Sequence, residues 1–174
     1  MSGYAVEGTH GFPDVGLLTL SEMVARASVV AEAAEVPLIS DADTGYGGIS
    51  NVQRTVHEFE RAGVCAIQLE DQDLPKKCGS MDGKRLISTQ EMCGKIKAAV
   101  DTRNDENFLI IARTDAVAVE GIDATLDRLR AFSEAGADLT ICLGSTATLT
   151  AINGLSYSWT PGTTLSTSTG SSVV

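Results

Sequence analysis

Asp41-Ala42-Asp43-Thr44-Gly45-Tyr46-Gly47-Gly48 sets two carboxylates two residues apart, at the end of the apolar run Val36-Pro37-Leu38-Ile39 and before a glycine-rich turn. Alternate residues of a strand face the same way, so Asp41 and Asp43 aim at one small volume. Two like charges held that close call for a cation or a shared proton, and a hard divalent ion such as Mg2+ answers with oxygen coordination. The arrangement recurs where Ile67-Gln68-Leu69 ends in Glu70-Asp71-Gln72, and where Leu109-Ile110-Ile111-Ala112 ends in Arg113-Thr114-Asp115. Three charged strand tips read as one active-site rim. Acids at strand ends also serve as helix caps or solvated turn residues. The stretch after Glu70 adds Lys76-Lys77-Cys78-Gly79-Ser80, in which nearby positive charge favours a thiolate and suits Cys78 to acid/base or nucleophilic work. The plainer reading of Cys78 is an ordinary loop cysteine.

The elements that must position these groups are marked by their starts and stops. Thr19-Leu20-Ser21-Glu22, Ser50-Asn51-Val52-Gln53 and Ser88-Thr89-Gln90-Glu91 each fit the capping box that satisfies free amide groups in a helix's first turn. Apolar stripes follow at helical spacing: Val52, Val56, Phe59 and Ala62; Met92, Ile96, Ala99 and Val100; Leu126, Leu129 and Phe132. Ala62-Gly63 and Ala135-Gly136 end two of these helices with a glycine suited to the left-handed C′ position. The pattern predicts a strand near 2–6, helix 20–34, strand 37–42, helix 51–62, strand 64–70, a loop over 71–87, helix 89–101, strand 108–113, helix 122–135 and strand 138–143. Such alternation implies a parallel sheet with helices outside it. Charge at the ends of several successive strands, rather than at one switch point, favours a TIM (β/α)8-type barrel over a doubly wound sheet.

Composition narrows the function classes. The chain has 174 residues, 43% of them hydrophobic, enough for a real core. A formal net charge of −10 argues against nucleic acid or an anionic membrane as partner. Four cysteines without CxxC spacing, and no secretory leader pattern, point to an intracellular setting, cytoplasmic or mitochondrial. Cys65 and Cys142 fall inside apolar runs and read as small core side chains, while His57 reads as a solvated helix residue.

Taken in order, Gly11-Phe12-Pro13-Asp14-Val15-Gly16, the block from Asp41 to Gly48, Glu70-Asp71-Gln72, Lys76-Lys77-Cys78-Gly79 and Ala112-Arg113-Thr114-Asp115-Ala116 resemble the isocitrate lyase/phosphoenolpyruvate mutase superfamily, in its methylisocitrate lyase-like branch. The likeness runs over roughly residues 2–138. It implies a Mg2+ shell from Asp41, Asp43 and Glu70, some ligating directly and some through water, with Mn2+ as the alternative ion. It also implies Cys78 as acid/base, Asp14 as an acid on an early gating or catalytic loop, and substrate contacts from Ser2, Gly3, Gly79, Ser80 and Arg113. Arg113 would grip a carboxylate with two parallel hydrogen bonds. The activity so implied is Mg2+-dependent cleavage of a carbon–carbon bond in a small 2-hydroxy di- or tricarboxylic acid, 2-methylisocitrate-like, giving an α-keto or oxo acid and a carboxylate. Phosphonate chemistry of the mutase type is the alternative. Ser80 departs from the motif, where lyases of this branch carry histidine.

Length sets a further expectation. An eight-stranded barrel takes about 250 residues, and this chain reaches only about five strands by residue 143. From Gly144 the composition turns to Ser, Thr and Gly, which reads as an unstructured tail over 144–174. The expected organisation is therefore an incomplete β/α barrel catalytic domain over 1–143 followed by that tail. It suggests a truncated product whose natural amino terminus also lies upstream. Such a chain exposes an open sheet edge, so it would aggregate, pair with another subunit as a homo-oligomer, or fail to fold and remain an inactive fragment.

Overall fold

The computed structural model describes residues 1–142, 149–150 and 172–173. The chain divides into Met1–Leu143 and Gly144–Val174. In the second unit β5 (Leu149–Thr150) pairs antiparallel with β6 (Ser172–Val173). The remainder of the expected tail lies outside the described residues.

The first unit begins with a helix. The order is α1 (Gly3–Thr9), α2 (Leu20–Ala33), β1 (Ile39–Asp41), α3 (Ile49–Arg61), β2 (Ala66–Glu70), α4 (Thr89–Thr102), β3 (Leu109–Thr114), α5 (Val117–Glu120), α6 (Ile122–Glu134) and β4 (Leu139–Cys142). The four strands form one parallel sheet in sequence order, β1-β2-β3-β4, with a helix in every connection. This is the β/α alternation expected of a partial barrel, one strand short. The strand expected near 2–6 is α1 instead, and Met1 alone lies along the β1 edge, where its carbonyl accepts from Asp41 N–H at 2.9 Å and its amine donates to Ile39 O. Hydrophobic residues at 1, 4, 5 and 6 do not decide between the two periods over so short a run.

Burial explains why these segments adopt these forms. β2 is covered along nearly its whole length, with Ala66, Ile67, Leu69 and Glu70 all buried, as a central parallel strand with helices on it must be. Val52, Val56 and Phe59 of α3 and Met92, Ile96 and Ala99 of α4 are buried against it. Thr19 and Glu22 close a reciprocal capping box, and Ser88 Oγ accepts from Glu91 N–H at 3.1 Å. Gly63 and Gly136 take φ of 81° and 102° directly after α3 and α6.

Three local expectations are corrected. Helix α3 starts earlier, with Gly48 as N-cap, so Ser50 lies inside the first turn. Helix α6 buries Thr125, Arg128 and Phe132, while Leu126 is exposed; it is rotated so that the Arg128 guanidinium reaches inward to Asp71. Cys65 is an exposed free thiol just ahead of β2, not a core residue.

Candidate active site at the strand tips

Parallel register brings the charged tips side by side. Asp41 ends β1 opposite Gln68, and Glu70 ends β2 opposite Arg113. Pairing continues one step past β1, where Ala42 N–H donates to Gln68 O and Glu70 N–H to Asp43 O, both at 2.9 Å. Asp43 is thereby set beside Glu70. Its φ of 47° is a left-handed conformation that aspartate tolerates when its backbone is held, here by a 3.0 Å hydrogen bond from Asp43 N–H to Asp41 Oδ1. The other Asp41 oxygen accepts from Gly3 N–H at 3.1 Å.

A pocket of about 200 Å³ opens over these tips. Of the residues singled out in the sequence, Ser2, Asp14, Asp41, Glu70, Cys78, Gly79, Ser80 and Arg113 line it, together with Tyr4, Lys76 and Lys77. Gly3 and Asp43 do not. Asp43 instead lines a neighbouring pocket of about 370 Å³, which Lys76 also borders. The smaller pocket is the candidate active site because acids, cations and the thiol converge there.

Lys76 is the residue that sequence reasoning missed. It is 4% exposed, and its ammonium bridges Asp14 Oδ1 at 2.5 Å and Asp43 Oδ1 at 2.6 Å. Burial opposes its charge, but Asp43 and Asp14 outweigh that and hold the pKa well above the usual lysine value. Burial would likewise raise Asp14, yet the Lys76 hydrogen bond prevails and keeps it below the ordinary carboxylate value. Neither ammonium is hydrogen-bonded to Cys78: Lys76 lies between Asp14 and Asp43, and Lys77 Nζ donates to Asp82 O. The Cys78 sulfur lies 3.3 Å from Ser80 Oγ. The pairing of Lys76 with Asp14, 62 positions away, leaves no local signal beyond a lysine in a loop that carries site residues.

Burial and mutual repulsion dominate the acids. Asp43 is pushed up to about 6, by burial first and by the Asp41 charge second, with Lys76 opposing. Glu70 is pushed up to about 8, chiefly by burial, against the pull of Arg113. Arg113 NH1 lies 3.4 Å from Glu70 Oε2, while its Nε and NH2 fork Asp115 at 3.1 Å. The two-bond grip expected for a substrate carboxylate is thus made with Asp115, which leaves the NH1 edge of Arg113 for a ligand.

Four buried side-chain atoms lack a hydrogen-bond partner among the described residues: Glu7 Oε2, Asp43 Oδ1, Tyr46 OH and Glu70 Oε1. Asp43 Oδ1 has the Lys76 charge beside it, but without hydrogen-bond alignment. The unpartnered Oε1 of Glu70, one of the three expected ligand residues, suits an oxygen-seeking cation. No group of three His, Cys, Asp or Glu side chains among the described residues is arranged to hold an ion by itself. Mg2+ does not require one, because it keeps several waters and takes only one or two direct carboxylates. The donor set fits that ion.

A family model described as phosphoenolpyruvate phosphomutase matches residues 1–169. The chain belongs to the phosphoenolpyruvate mutase/isocitrate lyase superfamily. It is 60% identical over 140 residues to 2,3-dimethylmalate lyase of Eubacterium barkeri, covering 80% of this chain and 48% of that protein. It is 52% identical over 139 residues to 2-methylisocitrate lyase of Aeropyrum pernix, covering 80% and 44%. Among solved structures, a crystal structure of 2,3-dimethylmalate lyase superposes with a TM-score of 0.80 at 39% identity, over 84% of this chain and 50% of that one. Phosphonopyruvate hydrolase in complex with oxalate and Mg2+ gives 0.74 at 34%, over 81% and 48%. The chain spans about half the length of the superfamily members it matches. No helix among the described residues is long and apolar enough to cross a membrane.

Proposed function

We propose that this chain carries the strand-tip half of a Mg2+-dependent carbon–carbon lyase site for a small 2-hydroxy di- or tricarboxylic acid of the 2,3-dimethylmalate or 2-methylisocitrate type. The observation that carries the reading is the convergence of Asp14, Asp41, Glu70, Cys78 and Arg113, distant in sequence, on one pocket of about 200 Å³. Asp41, Asp43 and Glu70 would hold the ion, directly or through water. Bound there, it supplies Lewis-acid stabilisation of negative charge on substrate oxygens.

The chain's own residues account for the remaining needs. Arg113, kept charged by Glu70 and Asp115 despite its burial, offers its NH1 edge to a substrate carboxylate. Lys76, fixed as an ammonium between two acids, adds a second cation at the pocket wall. Transfer of the hydroxyl proton to a pocket carboxylate, Asp14, lets the carbon–carbon bond break, so the hydroxyl-bearing carbon becomes the carbonyl of an α-keto acid. The bond's electron pair stays on the other carbon, beside its carboxylate. Cys78, held on a loop at the pocket, delivers a thiol proton to that carbon. Resemblance to 2,3-dimethylmalate lyase at 60% identity favours this over phosphonate chemistry, which has no need of a thiol acid.

The test is Mg2+-dependent release of pyruvate from 2,3-dimethylmalate and 2-methylisocitrate, with Cys78→Ala as control. Turnover lost on chelation and in Cys78→Ala supports the lyase. Turnover of phosphonopyruvate alone, insensitive to Cys78, moves the site to the mutase branch. Absence of any turnover from a folded chain identifies an inactive fragment.

A further inference from the structure

Gln72 sits two residues beyond Glu70, 1% exposed, at the point where β2 gives way to the Cys78 loop. All of its amide is used. Nε2 donates to Asp115 Oδ2 at 2.6 Å and to Lys77 O at 2.9 Å, and Oε1 accepts from Lys77 N–H at 2.9 Å. The amide orientation is fixed by its surroundings, because a flip would set its oxygen against two acceptors and its NH2 against a donor. Asp115 in turn holds Arg113 by Nε and NH2. One side chain therefore grips both backbone groups of the residue before Cys78 and, through one carboxylate, the guanidinium at the opposite side of the loop base.

We propose that Gln72 is a positioning residue that couples Arg113 to Cys78, so that the spacing between the carboxylate-binding cation and the thiol is set through its amide. The inference rests on the lyase reading for its purpose, since that reaction needs the carboxylate anchor and the proton donor at a fixed separation. The coupling itself is a property of the fold. The base of the loop is closed independently, with Asp73 N–H donating to Arg85 O at 2.8 Å and Ile87 N–H to Asp71 O at 3.0 Å. Removing the Gln72 amide should therefore release the Lys77–Cys78 segment without unravelling the loop.

The experiment measures the alkylation rate of Cys78 by iodoacetamide in the native chain, resolved by peptide so that exposed Cys65 does not contribute, with half-buried Cys93 as internal control. Gln72→Met, which keeps length and loses every hydrogen bond, should raise the Cys78 rate at least about fivefold, the effect of losing one ordinary hydrogen bond, and leave Cys93 unchanged. Asp115→Ala should raise it in the native background and add nothing on top of Gln72→Met, the signature of a shared chain of contacts. Gln72→Glu keeps an acceptor for Lys77 N–H but, ionised at about pH 8, offers no donor to Asp115 or to Lys77 O, so it should raise the Cys78 rate and leave Cys93 unchanged. An unchanged Cys78 rate in Gln72→Met, a rise shared equally by Cys93, or additive effects of the two substitutions would each overturn the proposal. None of these readouts uses substrate or metal, so their failure and the failure of the turnover assay are distinguishable.

Discussion

Glu70 offers the sharpest test of the site, because it is buried between Asp41 and Arg113 with one oxygen unpartnered. Its pKa is pushed from an ordinary 4.5 to about 8 in the metal-free protein. A carboxyl raised in the fold keeps its proton at pH values where the unfolded chain has already released it. Its stabilising contribution is therefore complete below about pH 4.5 and is lost as pH climbs through about 8. At about 1.4 kcal/mol for each pH unit between those limits, the loss comes to about 5 kcal/mol. That is a large share of the stability of a small domain, about 5–15 kcal/mol. Urea unfolding of the native chain and of Glu70→Gln, at pH 5, 7 and 9 with a chelator present, isolates the term by difference. The native chain should lose several kcal/mol relative to Glu70→Gln between the ends of that range. Adding Mg2+ at pH 9, to about 100 times its dissociation constant, should restore about 3 kcal/mol to the native chain and much less to the variant. Parallel stability curves for the two proteins would refute the reasoning about Glu70, and equal responses to Mg2+ would remove it from the metal site.

Other perturbations reach the supports of the site. Arg128 forks Glu120 at 2.8 and 2.9 Å, donates to Ile87 O at 3.1 Å and lies 3.4 Å from buried Asp71, so Arg128→Met should cost about 2–3 kcal/mol in urea unfolding by leaving the Asp71 carboxylate, still bonded by Thr114 and Asp115, without its cation. Gly45 takes φ of 86°, and a Cβ there would lie 2.5 Å from Val52 Cγ2, so Gly45→Ala should lower the melting temperature and disturb the Asp43 turn, visible as weaker Mg2+ stabilisation. Thr19→Ala removes a complete capping box and should cost about 1 kcal/mol, without altering the pH dependence that Glu70 controls.

The strand tips were legible because apolar runs that stop at acids are a local signal, and the parallel register then makes neighbours of Asp41, Asp43, Glu70 and Arg113. The capping box at Thr19 and the N-cap at Ser88 were legible for the same reason. What stayed hidden depends on contacts across long stretches of chain. A lysine in a polar loop reads as solvated, and only the folded arrangement shows Lys76 buried between Asp14 and Asp43. Gln72 and Asp115 were visible only as members of motifs; their hydrogen bond spans 43 positions. The face of α6 was misjudged because a leucine stripe was preferred over an arginine, when the buried Asp71 needs that guanidinium. The strand expected near 2–6 proved to be helix α1 because so short a segment carries no usable period.

Cys65 matters most at the bench. A free thiol on the outside of a folded chain can be joined to its counterpart on another molecule by air oxidation, producing a covalent pair of adventitious origin. Such a species would mimic the self-association expected of an open sheet edge in sizing or light-scattering runs. Only subunit composition determined under reducing conditions, or with this sulfur replaced, reports on the native surface.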